Sequence, residues 1–292
     1  MTGTRRSFLG ASAAVAAGAT SATHAAQDDE SRLGRTPQTR FAVNVEMWFR
    51  KLPFMRRLEE AARLGFPAVE FWPWQNKDIP AVAAACKKLK LDIAQFTAWG
   101  FRPGLNETKN HARFLKDLEA GCKVARQLNC RNMCVVAGDD VAGMTQAQMH
   151  QNVIAGLRKG APIAEKHGIT LILEPMNIRV DHKGHCLFGS EPTVRILKAV
   201  NSRHVKMLAD LYHLQITEGD LCGHLRENID LIGYVQIADH PGRHEPGTGE
   251  IAYTRVFQEL AKLGYRGYVG LECTPRKTDV EAARAVNRAD QW

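Results

Sequence analysis

From residue 41 onward the chain repeats one pattern of hydrophobic and polar positions. Short runs rich in Val, Ile and Leu alternate with longer stretches of helical periodicity. Apolar runs without strict alternation are what strands buried on both faces require, and such strands belong to parallel sheets covered by helices. The runs Phe41–Val45, Ala68–Phe71, Leu91–Phe96 and Asn132–Val136 predict four strands, and Ile169–Glu174, Val205–Asp210, Gly233–Ala238 and Tyr268–Glu272 predict four more. Between them Pro53–Leu64, Ile79–Leu89, His111–Leu128 and Gln146–Lys166 predict helices. Gly65, Gly168 and Gly264 each stand between a helical stretch and the next strand, where a left-handed residue ends a helix.

Eight strand–helix units predict a single (β/α)8 TIM barrel, an α/β fold, over residues 38–292. A barrel of this kind typically needs ~250 residues, which the chain supplies once. No Gly-x-Gly-x-x-Gly follows the first strand, so an open dinucleotide-binding sheet has no support.

The first 26 residues break the pattern. Thr4-Arg5-Arg6-Ser7-Phe8-Leu9-Gly10 is a twin-arginine motif, followed by a soft run of Ala, Gly, Ser and Thr to Ala26. Such a run is driven only weakly into a bilayer, because Ala contributes little transfer free energy beside Leu or Ile. Small residues around Ala25 and Ala26 suit a signal peptidase, and Asp28-Asp29-Glu30 restarts polar sequence. The expectation is a twin-arginine signal peptide over residues 1–26, a polar linker over 27–37, and export to the periplasm without stable membrane insertion after processing.

The net charge of +8 changes this picture little. Arg5 and Arg6 contribute two of those charges, and the rest are scattered along helical stretches, without the dense basic tract of a nucleic-acid footprint. The reading is a small-molecule enzyme that binds no nucleic acid; self-association into a homo-oligomer is compatible with it. Seven cysteines include no Cys-x-x-Cys pair, and Cys130 and Cys134, which flank or enter a strand, read as small buried hydrophobes rather than a disulfide or zinc pair.

Candidate chemistry lies where barrel enzymes place it, at the C-terminal ends of the strands. Leu171-Ile172-Leu173 ends in Glu174, and Met207-Leu208-Ala209 ends in Asp210. Tyr234-Val235 leads to Gln236, and Val269-Gly270-Leu271 leads to Glu272. Three carboxylates and an amide converging at four consecutive strand ends need a cation to offset their repulsion and desolvation. All four are hard oxygen donors, which favour Mg²⁺ or Mn²⁺ over zinc. Glu70 ends strand two, where it either supports the site from behind or makes a structural hydrogen bond. Trp48, Trp72, Trp74 and Trp99 follow strands one to three, as pocket wall or as core. His182, His185, His240 and His244 flank the site in sequence, and position alone does not choose among them.

At these residues the chain resembles the hydroxypyruvate isomerase family, among the xylose isomerase-like barrels. The matching phrases are Glu174-Pro175, Asp210-Leu211-Tyr212-His213, and the long run Val235-Gln236-Ile237-Ala238-Asp239-His240-Pro241-Gly242-Arg243-His244-Glu245-Pro246-Gly247-Thr248-Gly249-Glu250-Ile251. Glu272 with Pro275 and Arg276 closes the set, and Phe41-Ala42-Val43-Asn44 and Ala68-Val69-Glu70-Phe71 extend it to the first strands. The resemblance implies metal ligation by Glu174, Asp210, Gln236 and Glu272. It also implies acid/base catalysis by Glu174 and Glu272, and substrate contact by His213 and Arg243. One stretch departs from that family: the loop from Phe101 to Asn110 is shorter and lacks its Pro-Gly-Arg segment.

The expected reaction is a metal-dependent interconversion of hydroxypyruvate and tartronate semialdehyde, or of a similar small aldose/ketose pair. It would pass through an enediolate, with two Glu moving the proton. A ketose 3-epimerase or an inosose-type dehydratase on the same barrel is the first rival. More remote are a metal-dependent phosphodiesterase of the apurinic endonuclease kind, which needs several His ligands, and an exported sugar-binding protein without catalysis.

Overall fold

The computed structural model describes residues 29–292, so the twin-arginine segment lies outside the described residues. The first half of the barrel runs β1 (Arg40–Asn44), α1 (Phe54–Arg63), β2 (Ala68–Phe71), α2 (Ile79–Leu89), β3 (Asp92–Trp99), α3 (His111–Gln127), β4 (Asn132–Val136) and α4 (Gln146–His167). The second half runs β5 (Thr170–Glu174), α5 (Ser190–Val200), β6 (Val205–Asp210), α6 (Leu211–Thr217), α7 (Leu221–Asn228), β7 (Ile232–Ile237), α8 (Tyr253–Lys262), β8 (Tyr268–Leu271) and α9 (Asp279–Ala289). The strands close into a parallel barrel in chain order, with β1 paired to both β2 and β8. This is the (β/α)8 barrel that the hydrophobic runs predict.

Strand limits agree with the sequence pattern to within one residue except at β3. That strand continues through Thr97 to Trp99, and its register against β2 and β4 shifts at two irregularities, between Val69 and Glu70 and between Thr97 and Trp99. Gly65, Gly168 and Gly264 take the left-handed φ values of 81°, 67° and 74° expected of helix stops. The bulk of the core lies between strands and helices. Inside the barrel a smaller cluster of Ala42, Ala68, Ala94, Ile172, Leu208 and Tyr234 forms the floor on which the site rests. Among the described residues no helix is long and apolar enough to cross a membrane.

The two ends of the described chain meet beneath β1. Asp290, fully buried, accepts hydrogen bonds from the Gln38 and Thr39 amides at 3.1 and 2.8 Å and from the Thr39 hydroxyl at 2.5 Å. Ahead of them, Gly34 donates its amide to the Leu64 carbonyl at 2.7 Å, so the polar stretch before β1 lies against the barrel. Losing the Asp290 carboxylate removes three hydrogen bonds accepted by a buried charged group, from the half-buried segment that leads into β1. Asp290→Ala should therefore cost on the order of 3 kcal/mol. That corresponds to a fall of roughly 5–10 °C in the unfolding midpoint, read by calorimetry. A midpoint unchanged from wild type would show that the clamp contributes nothing.

Candidate active site

The four polar residues read from the strand ends do meet. Glu174 and Asp210 are the last residues of β5 and β6, Gln236 is next to last in β7, and Glu272 follows β8 directly. Asp210 lies opposite Gln236 in the ladder, Glu272 stands two residues beyond the Gly270 that pairs with Gln236, and Glu174, Gln236 and Glu272 line one cavity at the barrel mouth. All four are buried. One ligand atom from each of Glu174, Asp210, His213 and Glu272 can be chosen such that all lie within 4.8 Å of one another.

Burial and crowding set the electrostatics. The Glu174 carboxyl is pushed well above the usual range by burial, then by the neighbouring charges of Glu272 and Asp210. Asp210 is pushed up to about 8, chiefly by burial, against the pull of Arg243. The Arg243 guanidinium reaches Asp210 Oδ2 at 3.3 Å and sits in close contact with Glu272 Oε2. It enters from a tight loop in which Gly242 and Arg243 both take left-handed φ values, 103° and 56°. His213, buried on the first turn after β6, sets its Nε2 3.4 Å from Asp210 Oδ2 and 3.9 Å from Glu174 Oε1. Burial, then the Arg243 charge, holds its imidazolium pKa well below the ordinary value.

Gln236 bears most directly on what the cluster could hold. Its amide nitrogen donates to Glu70 Oε1 at 2.8 Å, whereas its buried Oε1 has no hydrogen-bond partner. Glu70 is itself fixed by Asn44 Nδ2 at 3.0 Å and by the Tyr234 hydroxyl at 2.7 Å. Of its two readings in sequence, Glu70 therefore takes the first: it holds the amide so that the carbonyl oxygen faces outward. An orphaned carbonyl oxygen beside three carboxylates fits a hard divalent cation, because such an ion accepts oxygen donors and offsets their charge. A buried acidic cluster with an adjoining histidine could thus hold a metal ion.

The cluster opens into a cavity of about 440 Å³, walled by Trp72, Thr97, Phe101, Val136, Met176 and His182 among others. Of the four tryptophans only Trp72 belongs to this wall, where its indole donates to Glu272 Oε1 at 2.9 Å. Trp48 and Trp99 are core, packed on Phe66 and Phe114. Among the histidines, His182 lines the cavity, stacked on Phe101 with ring centroids 4.8 Å apart, while His244 bonds the Thr274 carbonyl at 2.7 Å. A larger surface groove of about 930 Å³ lies between the loop after β7 and α9, but none of the cluster residues faces it.

Some contributors escape a reading based on strand ends. Cys134 lies one strand over, its thiol 3.4 Å from Glu174 Oε2, with its pKa driven up by burial and then by the Glu174 charge. Gln95 and Thr97 are polar residues of β3 that line the cavity. A polar position inside an apolar run was the available signal for Gln95 alone; Cys134 reads as a small hydrophobe and Thr97 follows the run. Asn177, which bonds His213, lies in the loop after β5 and left no such signal.

Comparison with known proteins agrees with this geometry. The profile of the xylose isomerase-like TIM barrel family matches residues 58–289. Hydroxypyruvate isomerase of Escherichia coli is 32% identical over 245 residues, 82% of this chain and 95% of the relative. A 2-oxo-tetronate isomerase of Cupriavidus necator is 32% identical over 81% of this chain and 93% of its own length. Among solved structures, one described as an AP endonuclease of family 2 from Brucella melitensis superimposes with a TM-score of 0.79 at 31% identity, over 84% of this chain and 96% of that one. A 3-keto-D-glucoside 4-epimerase from E. coli, at 22% identity and a TM-score of 0.74 over 86% of this chain and 98% of that one, shares the fold. The chain belongs to the xylose isomerase-like TIM barrel family and, within it, to the hydroxypyruvate isomerases, and it is an isomerase.

Proposed function

We propose that the chain interconverts hydroxypyruvate and tartronate semialdehyde, or a similar small 2-oxo acid pair, with one Mg²⁺ or Mn²⁺ held by Glu174, Asp210, Gln236 and Glu272. The observation that carries this reading is the convergence of three buried carboxylates and the orphaned Gln236 oxygen beside a cavity of small-molecule size. When bound, the cation supplies Lewis acidity to a carbonyl and its neighbouring hydroxyl. The carbon-bound proton is the task of Glu174 and Glu272, approaching from β5 and from the end of β8. One carboxylate removes it to give an enediolate, the hydroxyl proton passes from one of the two oxygens to the other, and the same or the other carboxylate returns a proton to the adjacent carbon, which yields the isomer. Trp72 aims Glu272 by donating to Oε1, which leaves Oε2 toward Arg243. Arg243 offers a planar fork suited to a substrate carboxylate. His213 Nε2 lies within the same group of polar atoms, in reach of a substrate oxygen. Phe101, Val136 and Met176 give the cavity an apolar wall on that side.

The deciding assay supplies hydroxypyruvate with Mg²⁺ or Mn²⁺, with and without chelator, and identifies products against a panel of ketohexoses. Metal-dependent formation of tartronate semialdehyde is expected, and epimerised ketohexose alone would transfer the reading to an epimerase. One bound ion per chain is also expected in a mass-spectrometric count; two or three ions would favour phosphodiester chemistry. pH offers an independent handle. Asp210 and Glu174 bind protons in the fold at pH values where the unfolded carboxyls have released them. Stability of the metal-free protein should therefore fall as pH rises from the ordinary carboxylate range through about 8. A bound cation replaces those protons, so stabilisation by Mn²⁺ should grow from pH 5.5 to pH 8, roughly doubling in thermal shift. A pH-independent shift would argue against metal in this cluster.

We also propose export by the twin-arginine route, on the strength of Arg5-Arg6 and the soft run to Ala26. Fusion of residues 1–26 to a folded reporter, compared with an Arg5→Lys/Arg6→Lys variant, tests it by reporter location.

A further inference from the structure

The hydrogen bonds around Asn177 reach beyond the metal cluster. Asn177 is fully buried, and its carboxamide orientation is fixed at both ends. Its Oδ1 accepts from the backbone amides of Val180 and Asp181 at 2.9 and 3.2 Å, so Nδ2 must point the other way. One Nδ2 hydrogen goes to Asp181 Oδ2 at 2.8 Å, and Nδ2 also lies 2.7 Å from His213 Nδ1. The Asn177 backbone amide points at the same ring nitrogen, at 3.3 Å. Two N–H groups therefore face His213 Nδ1, and a backbone amide cannot be turned round. A proton on Nδ1 would oppose both.

We propose that Asn177 is a positioning residue that fixes His213 as the Nε2–H tautomer, making it a hydrogen-bond donor toward the substrate oxygen and removing it from the set of metal ligands. The assignment of a substrate oxygen rests on the isomerase reading above; the tautomer does not. On the far side of the ring the surroundings agree. Nε2 faces Asp210 Oδ2 at 3.4 Å and Glu174 Oε1 at 3.9 Å, both acceptors. Arg243 Nη2 also lies 3.4 Å from Nε2, and it is a donor. These two donors share Asp210 Oδ2, which Arg243 reaches at 3.3 Å, so neither needs to accept from the other. The opposite tautomer would gain one long contact with Arg243 and lose two bonds on the Nδ1 side. Imidazole can bind a metal only through a bare nitrogen, and the only bare nitrogen here points away from the cluster. The four oxygen donors then remain as the metal set, with His213 free to polarise the carbonyl that becomes the enediolate.

The test is nitrogen NMR of the full-length protein, labelled with ¹⁵N-histidine and loaded with Mg²⁺, with the His213 signals assigned by their loss in His213→Gln. Wild type should show a bare Nδ1 and a protonated Nε2. In Asn177→Asp the amide donor becomes an acceptor, so the proton should move to Nδ1, and kcat on hydroxypyruvate should fall at least tenfold with KM changed less than threefold. A folded protein with a wild-type thermal midpoint would show that the loss is not structural. A bare Nε2 in the wild-type spectrum overturns the proposal even where no variant folds, and so does an Asn177→Asp protein that keeps both the tautomer and the rate. If the tautomer is as stated but no hydroxypyruvate is turned over, the substrate reading fails and the positioning role of Asn177 stands.

Discussion

Glu272→Gln should lower kcat on hydroxypyruvate by ~10³-fold while leaving the barrel folded, and Glu174→Gln should do the same. An amide of nearly the same shape keeps an oxygen for the cation but cannot take a proton from carbon. Each variant therefore separates ligation from acid/base work, which alanine would not. The cost of folding should be small. Glutamine at 174 removes a carboxyl whose charge is opposed by burial and by its neighbours, so stability at neutral pH should hold or rise. Glutamine at 272 can still accept from Trp72 through its oxygen, but its NH2 then faces the Arg243 guanidinium, which keeps Asp210 as its acceptor. Loss of turnover with Mn²⁺ affinity held within about tenfold would locate the defect in proton transfer. A variant that turns over at the wild-type rate would remove its residue from the shuttle. Exchange of solvent deuterium into hydroxypyruvate should vanish with turnover in both.

The strands and the residues at their ends were legible in the sequence for one physical reason. A strand buried on both faces tolerates a polar side chain only where something answers it, so Glu174, Asp210, Gln236 and Glu272 stood out against their neighbours. The same rule marked Glu70, but not its purpose, because Asn44 meets it from the neighbouring strand and Tyr234 from across the barrel, neither of them close along the chain. Closure of the barrel places Glu70 of β2 within 2.8 Å of Gln236 of β7, 166 residues later, and no periodicity encodes that contact. β3 ran further than its apolar run, and Thr97, two residues beyond Gln95, faces the same cavity by the alternation of a strand. Asn177 was invisible for a different reason. It lies in a loop, and its value comes from the bonds that hold it to Val180, Asp181 and His213. Strand-end logic finds groups that face the ligand, and it misses the groups that aim them.

That distinction carries a second large effect, at a residue with no side chain. Gly270 is central in β8, opposite Gln236 in the ladder. A Cβ built there would lie 2.4 Å from Glu70 Oε2 and 2.9 Å from Gln236 Cγ. The glycine therefore leaves room for the carboxylate that holds the Gln236 amide, and Gly270→Ala must displace one or the other. Overpacking of this kind costs about 1–3 kcal/mol. Displacing the residue that orients a metal ligand costs ~10–100-fold in metal affinity. Isothermal titration with Mn²⁺ should show that loss, and the isomerase rate at limiting Mn²⁺ should fall with it. Saturating Mn²⁺ should restore most of kcat, because Glu174 and Glu272 are untouched. Glu70→Gln offers the contrast: its side-chain oxygen can still accept from Gln236 and Asn44, so affinity should fall far less than in Gly270→Ala. Wild-type Mn²⁺ affinity in Gly270→Ala would mean that Glu70 does not aim Gln236. Gln236 would then have to be dropped from the ligand set or given another support.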